Sequence, residues 1–112
     1  MSRDVREVEG ISDMDQTEAI RKLQRYKHLL SQEMRFDTMM LFGSYAQGTQ
    51  REESDIDVAI VVETIQGDYF STRPVLWRIR REVDDRIEPV LLEKRHDESG
   101  FLQEVLKNGI PI

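Results

Sequence analysis

Apolar residues recur along this chain at two different intervals, and the switches between them mark its elements. Ile20, Leu23, Tyr26, Leu30 and Met34 step by three or four, the interval that lines one face of a helix. Asp13, Asp15 and Thr17 stand ahead of most of that stripe as N-cap candidates, each able to accept from a first-turn N–H. Arg21, Lys22, Arg25 and Lys27 fill the other faces and read as a solvated helix surface. The run FDTMMLF at 36–42 reads as a strand that stops at Gly43. Residues 44–48 read as a first helical turn, and 49–54 as a polar loop.

From residue 55 the interval becomes two. Ile56, Val58, Ile60 and Val62 fall on one face of a strand; Asp55, Asp57, Ala59 and Val61 fall on the other. Both faces are apolar beyond Asp57, which predicts a strand internal to its sheet. Gly67 and Asp68 break the pattern. A second amphipathic helix is predicted over 72–85, capped by Ser71 or Thr72, with Pro74 in its first turn and Val75, Leu76, Ile79 and Val83 inward. Trp77 reads as a packing residue of the core or its rim rather than a base-stacking platform. The third strand is IEPVLL at 87–92, where Pro89 implies an edge or a bulge. A last helix over 99–108 has Asp97 or Ser99 as cap, Gly109 as its stop, and Phe101, Leu102, Val105 and Leu106 facing inward. The element order is that of an α/β (α+β) chain.

Composition narrows the class. At 112 residues the chain is expected to be a single domain, 1–112, with the charged residues 1–12 fraying. Charged residues make up 34%, but the regular apolar blocks favour a folded domain over disorder. A net charge of −6 leaves no basic surplus to replace phosphate counterions, which argues against general nucleic-acid binding. A nucleotide can still approach an acidic protein when metal ions bridge the two. The chain has no cysteine, which suits a reducing compartment, and no apolar stretch of membrane-spanning length. A soluble, cytoplasmic protein with no membrane association is expected.

The chemistry concentrates in LFGSYAQGTQREESDIDVAIVV, residues 41–62. Asp55 and Asp57 at i and i+2 on a strand share a face, about 6–7 Å apart along the backbone. Paired carboxylates at that separation can lean onto divalent ions. Gly43 lets the backbone turn, and Ser44 sets a hydroxyl beside N–H groups at a helix start, a combination that suits a phosphate. Glu88 lies in an otherwise apolar strand. It is costly to bury unless ionised beside a cation or hydrogen-bonded, and Pro89 leaves open an edge position facing water. Oxygen ligands without His or Cys fit Mg²⁺ or Mn²⁺. Lys94, Arg95 and His96 either approach the phosphates or solubilise a loop.

The Gly43-Ser44 turn followed by Asp55-Ile56-Asp57 resembles the signature of the DNA polymerase β-like nucleotidyltransferases. FGSYAQGTQREESDIDVAI is similar, more narrowly, to the minimal nucleotidyltransferases of prokaryotes. The resemblance implies the nucleotidyltransferase fold, a small mixed sheet of about three or four strands flanked by helices. It implies metal and catalytic roles for Asp55, Asp57 and Glu88. That family places its third carboxylate, usually Asp, on a neighbouring strand about thirty residues after the pair. Gly43, Ser44, Gln47 and Arg51 would bind the nucleotide. Family members commonly carry Arg at the position of Gln47, which here donates hydrogen bonds without charge; Arg51, four residues on, either substitutes for it or is, more plainly, an exposed loop arginine. The implied reaction is transfer of AMP from ATP, with Mg²⁺ or Mn²⁺, to a tyrosine of a HEPN-domain toxin, so that the chain acts as an antitoxin. The alternatives are a weakened relative that neutralises its partner by binding alone, and transfer to a small molecule such as an aminoglycoside. Dimerisation is a further option for building an acceptor site.

Overall fold

The computed structural model describes residues 14–64 and 69–112. In chain order these form α1 (Gln16–Ser31), β1 (Thr38–Phe42), α2 (Ser44–Gln47), β2 (Ile56–Val62), α3 (Tyr69–Arg80), β3 (Ile87–Glu93), α4 (Phe101–Asn108) and β4 (Ile110–Pro111). The strands make one mixed sheet in the order β3-β2-β1-β4. β1 runs antiparallel to β2 and β4, and β2 runs parallel to β3 across the α3 crossover. The expected small mixed sheet flanked by helices is what forms, with β2 internal and the proline-bearing β3 at an edge.

The two faces of β2 explain the layers. Ile56, Val58, Ile60 and Val62 join Met39 and Leu41 of β1 under α1 and α3, against Leu23, Tyr26, Leu30, Leu76 and Ile79. Burying each such side chain contributes about 1.5–3 kcal/mol. The buried Tyr26 hydroxyl donates to the Leu76 carbonyl at 2.9 Å, tying α1 to α3. On the other face Met40, Ala59 and Val105 form a smaller cluster with Phe42 and Leu92, covered by α4 alone. Asp57 belongs to this thinner side, and that leaves its carboxylate reachable.

Several boundaries differ from the sequence reading. Asp15 is the cap of α1, accepting from Glu18 N at 2.8 Å, and the helix stops at Ser31 rather than reaching Met34. β1 starts at Thr38, not 36. α3 begins at Tyr69, so Pro74 lies inside the helix instead of in its first turn, and Ser71 and Thr72 are helical rather than caps. It also ends at Arg80, not 85. The acidic loop beyond is fixed instead by Asp84, which accepts from Lys22 at 2.6 Å and from the Arg86 side chain at 3.0 Å. Burial alone would lift the Asp84 carboxyl, but those hydrogen bonds outweigh it and hold it well below the usual carboxylate range. Asp13, Gly67, Asp68 and the charged residues 1–12 lie outside the described residues.

α4 departs most. Leu102 and Val105 are buried as expected, but Phe101 and Leu106 are exposed at 39% and 46%. Only eight residues long, the helix turns a narrow stripe inward and leaves both flanks outside. Its start is fixed by Asp97, whose carboxylate accepts from Leu102 N and Gln103 N. At its end a side chain on Gly109 would stand 2.6 Å from the Val105 carbonyl oxygen and 2.8 Å from that of Leu41. Glycine therefore permits the close crossing that brings β4 onto β1.

Candidate active site

The site is built where β1 ends. Gly43 has φ +74°, ψ −153°, a backbone conformation that glycine reaches without penalty. The chain turns there and starts α2, in which the N–H groups of Ala46 and Gln47 donate back to the Gly43 carbonyl at 3.1 and 3.2 Å. Tyr45 is 1% exposed and anchors this short helix in the main core. Gln16, at the start of α1, donates to the Tyr45 and Ala46 carbonyls at 2.8 and 3.3 Å. It braces the turn from 29 residues away, and nothing in the local sequence marks it for that task.

Asp57 faces this turn directly. It pairs with Phe42 across the antiparallel β1–β2 ladder. A Cβ placed on Gly43 would fall 2.3 Å from Asp57 Oδ2, so the carboxylate occupies the space a side chain would need. On its other side Asp57 is the register partner of Glu88 on β3. Asp55, Asp57 and Glu88 thus lie on one face of the sheet, beside the glycine-serine turn. Electrostatics agrees with the register. The Asp57 carboxyl is pushed above the usual range, first by burial and then by the negative charges of Asp55 and Glu88.

Glu88 is not turned wholly toward the aspartates. Its Oε1 stands 3.7 Å from Nη1 of Arg80, and its side chain is 39% exposed. Arg80 is held in turn by the Asp85 and Ile87 carbonyls, at 2.7 and 3.0 Å, and lies over the Trp77 ring at 4.3 Å. Among the described residues, no three acids or histidines are drawn into a ready-closed metal cluster. The donor set still suits a hard divalent cation: oxygen ligands only, and mutually repelling carboxylates at a partly buried position. Glu88 shares the face of the aspartates and also reaches the sheet edge, so its position is compatible with either sequence reading.

The remaining candidates separate. Gln47 is exposed at the end of α2 and lines a cavity with Gly43. Arg51 is exposed in the following loop, where its N–H donates to Ser54 Oγ at 2.8 Å. Lys94, Arg95 and His96 do not approach the turn. Lys94 pairs with Asp37 at 2.9 Å, Arg95 with Glu63 at 3.1 Å, and His96 with Glu93 at 3.4 Å, at the opposite end of the strands. Trp77 is half-buried against the main core between Arg73 and Arg80, which makes it a packing residue.

A glycine-serine turn facing an Asp-x-Asp strand, on a small mixed sheet backed by helices, defines the nucleotidyltransferase class. The chain belongs to the family described as "Polymerase beta, Nucleotidyltransferase", whose sequence pattern matches residues 24–112. Two proteins of Methanocaldococcus jannaschii are similar to it. One, named "Putative protein adenylyltransferase MJ0141", is 31% identical over 80 residues, 70% of this chain and 80% of that protein. The other, "Putative protein adenylyltransferase MJ1379", is 45% identical over 49 residues, 44% of this chain. The match spans about half of that relative, 47%. Among solved structures, one described as "putative minimal nucleotidyltransferase" superposes with a TM-score of 0.62 at 20% identity, over 91% of this chain and 100% of that one. The crystal structure of a toxin–antitoxin with AMP-PNP superposes with a TM-score of 0.58 at 25% identity, over 81% of this chain and 69% of that one.

Proposed function

We propose that this chain transfers AMP from ATP to a tyrosine hydroxyl of a HEPN-type toxin and acts as its antitoxin in the cytoplasm. The observation that carries the reading is the contact of Asp57 with the Gly43 turn, with Asp55 and Glu88 on the same face. Relatives named as protein adenylyltransferases support the reaction class. The toxin–antitoxin neighbour crystallised with AMP-PNP supports both a nucleotide and a protein partner.

In this mechanism the triphosphate lies against the Gly43-Ser44 turn, and the Ser44 hydroxyl donates to one of its phosphate oxygens. Gln47 adds a neutral amide donor, and Arg51, from its loop, a positive charge. Asp55 and Asp57, completed by Glu88, would hold Mg²⁺ or Mn²⁺, which supplies charge neutralisation and a more acidic acceptor hydroxyl. Glu88 stands on the side of Asp57 away from the turn, where the acceptor arrives and can give up its proton. The acceptor oxygen forms its bond to the α-phosphorus as the bond to pyrophosphate breaks, leaving AMP on the tyrosine. Purified chain incubated with α-labelled ATP, Mg²⁺ and the partner should label the partner, and the Asp55→Asn, Asp57→Asn double variant should not. An unlabelled partner with wild-type chain defeats the proposal.

The Arg80–Glu88 contact favours a second reading, in which the third acid is diverted and the chain neutralises its partner by binding alone. The same double variant separates the two. Under the binding-only reading it protects cells as well as wild type does; under the catalytic reading it does not.

A further inference from the structure

On the thinner face of the sheet, beside the turn, lies a cavity of about 180 Å³ lined by Phe42, Gly43, Gln47, Phe101, Glu104 and Asn108, among others. Pockets that enclose a whole drug-sized ligand run to about 300–1,000 Å³. This one has room for a single ring system. It sits on one side of Asp57, because Phe42 and Glu88 are the two register partners flanking that residue. We infer that this cavity is the base slot of the site: it takes the adenine ring of the nucleoside triphosphate, clamped against Phe101 and read at its edge by Gln47, Glu104 and Asn108. The inference rests on the transfer reading above.

Three features carry it. First, Phe101 is an aromatic side chain left 39% exposed on the flank of α4 that lines the cavity with Gly43. Its ring meets Phe42 edge to face, with centroids 5.5 Å apart and planes at 83°. Two perpendicular rings offer a flat face and an edge, the surroundings in which a base stacks. Second, the polar lining is selective. Asn108 Nδ2 already donates to Glu104 Oε2 at 2.5 Å. The Asn108 side-chain carbonyl and the second carboxylate oxygen of Glu104 remain as acceptors for an exocyclic amine, against one remaining Asn108 N–H. Gln47 supplies an amide, whose paired donor and acceptor match the adenine edge. Third, the acceptor hydroxyl must reach the Glu88 side, which leaves the side toward α4 for the nucleoside. A larger hollow of about 600 Å³ on the outer flank of α4, lined by Asp97, Glu98, Glu104 and Lys107 among others, carries more negative than positive charge and suits a triphosphate poorly.

The test is calorimetric titration of the full chain with Mn²⁺ and each of ATP, ITP and inorganic tripolyphosphate. Wild type should bind ATP at least tenfold more tightly than tripolyphosphate, and several-fold more tightly than ITP, whose ring carries oxygen in place of the amine. Phe101→Ala should weaken ATP about tenfold, as loss of one stacking partner does, and leave tripolyphosphate unchanged; Phe101→Trp should restore ATP. Equal affinity of wild type for ATP and tripolyphosphate, or equal losses of both in Phe101→Ala, overturns the base slot while the transfer reading stands. ITP binding as tightly as ATP overturns the edge assignment of Glu104 and Asn108. Failure of wild type to bind either triphosphate overturns the transfer reading and this inference with it.

Discussion

Gly43 answers to two constraints at once: a positive φ and an Asp57 oxygen where its side chain would be. Gly43→Ala should therefore cost stability by about 1–3 kcal/mol through backbone strain, measurable by urea unfolding. It should cost AMP transfer more, by about a hundredfold, since displacement near 1 Å at a reacting centre has that effect. Glu88 poses a different question, because it faces both the aspartates and Arg80. If it serves the acceptor, Glu88→Ala should lower single-turnover transfer by about 10²-fold or more. An unchanged rate would leave it only as the partner of Arg80. The Gly43-Ser44 turn and the shared face of Asp55 and Asp57 were legible in the sequence, because alternation along one strand determines which face a residue occupies; Glu88 entered through the family resemblance, and its register opposite Asp57 is a tertiary fact. Arg80 and Gln16 were not legible, because each works through a contact made by distant chain.

Among elements, those with a strong period were read correctly and those with a weak one were misplaced. β2 and α1 were found with their buried faces, since one signal repeats along all seven residues of the strand and most of the 16 of the helix. The two-residue β4 carries no periodic signal at all; only its place beside β1 makes it a strand. α4 was read with its apolar flanks inward, yet tertiary packing buries only Leu102 and Val105. α2 is four residues long, far too short to be stable alone, and depends on Tyr45 in the core and on the Gln16 brace. Gln16→Ala should leave the fold in place, with unchanged circular dichroism, but lower the affinity for ATP several-fold as the turn loosens. Retained affinity would show that Tyr45 alone suffices.

At the scale of the molecule the site is a strain on stability. Burial and two neighbouring carboxylates raise the Asp57 carboxyl in the fold, so its ionised form is disfavoured there relative to the unfolded chain, where carboxyls titrate near about 3.9. The penalty is present at neutral pH and fades as pH falls through the raised value toward the unfolded one. Asp57→Asn should then raise the melting temperature of the metal-free chain at pH 7, with the gain shrinking as pH falls toward the carboxyl's unfolded value. Mn²⁺ should stabilise wild type in a thermal scan and leave the variant nearly unmoved. A variant that melts below wild type at pH 7 would contradict this account. No helix among the described residues is long and apolar enough to cross a membrane.

The sequence by itself determined which residues alternate, which faces are apolar and which carboxylates share a face, because these follow from fixed backbone geometry within one element. Only the tertiary structure decided that Asp57 fills the space above Gly43, that Arg80 stands beside Glu88 at the sheet edge, and that an exposed phenyl ring stands beside the turn. Those are distances between segments far apart in the chain, set by strand register and core packing, and no local pattern encodes them.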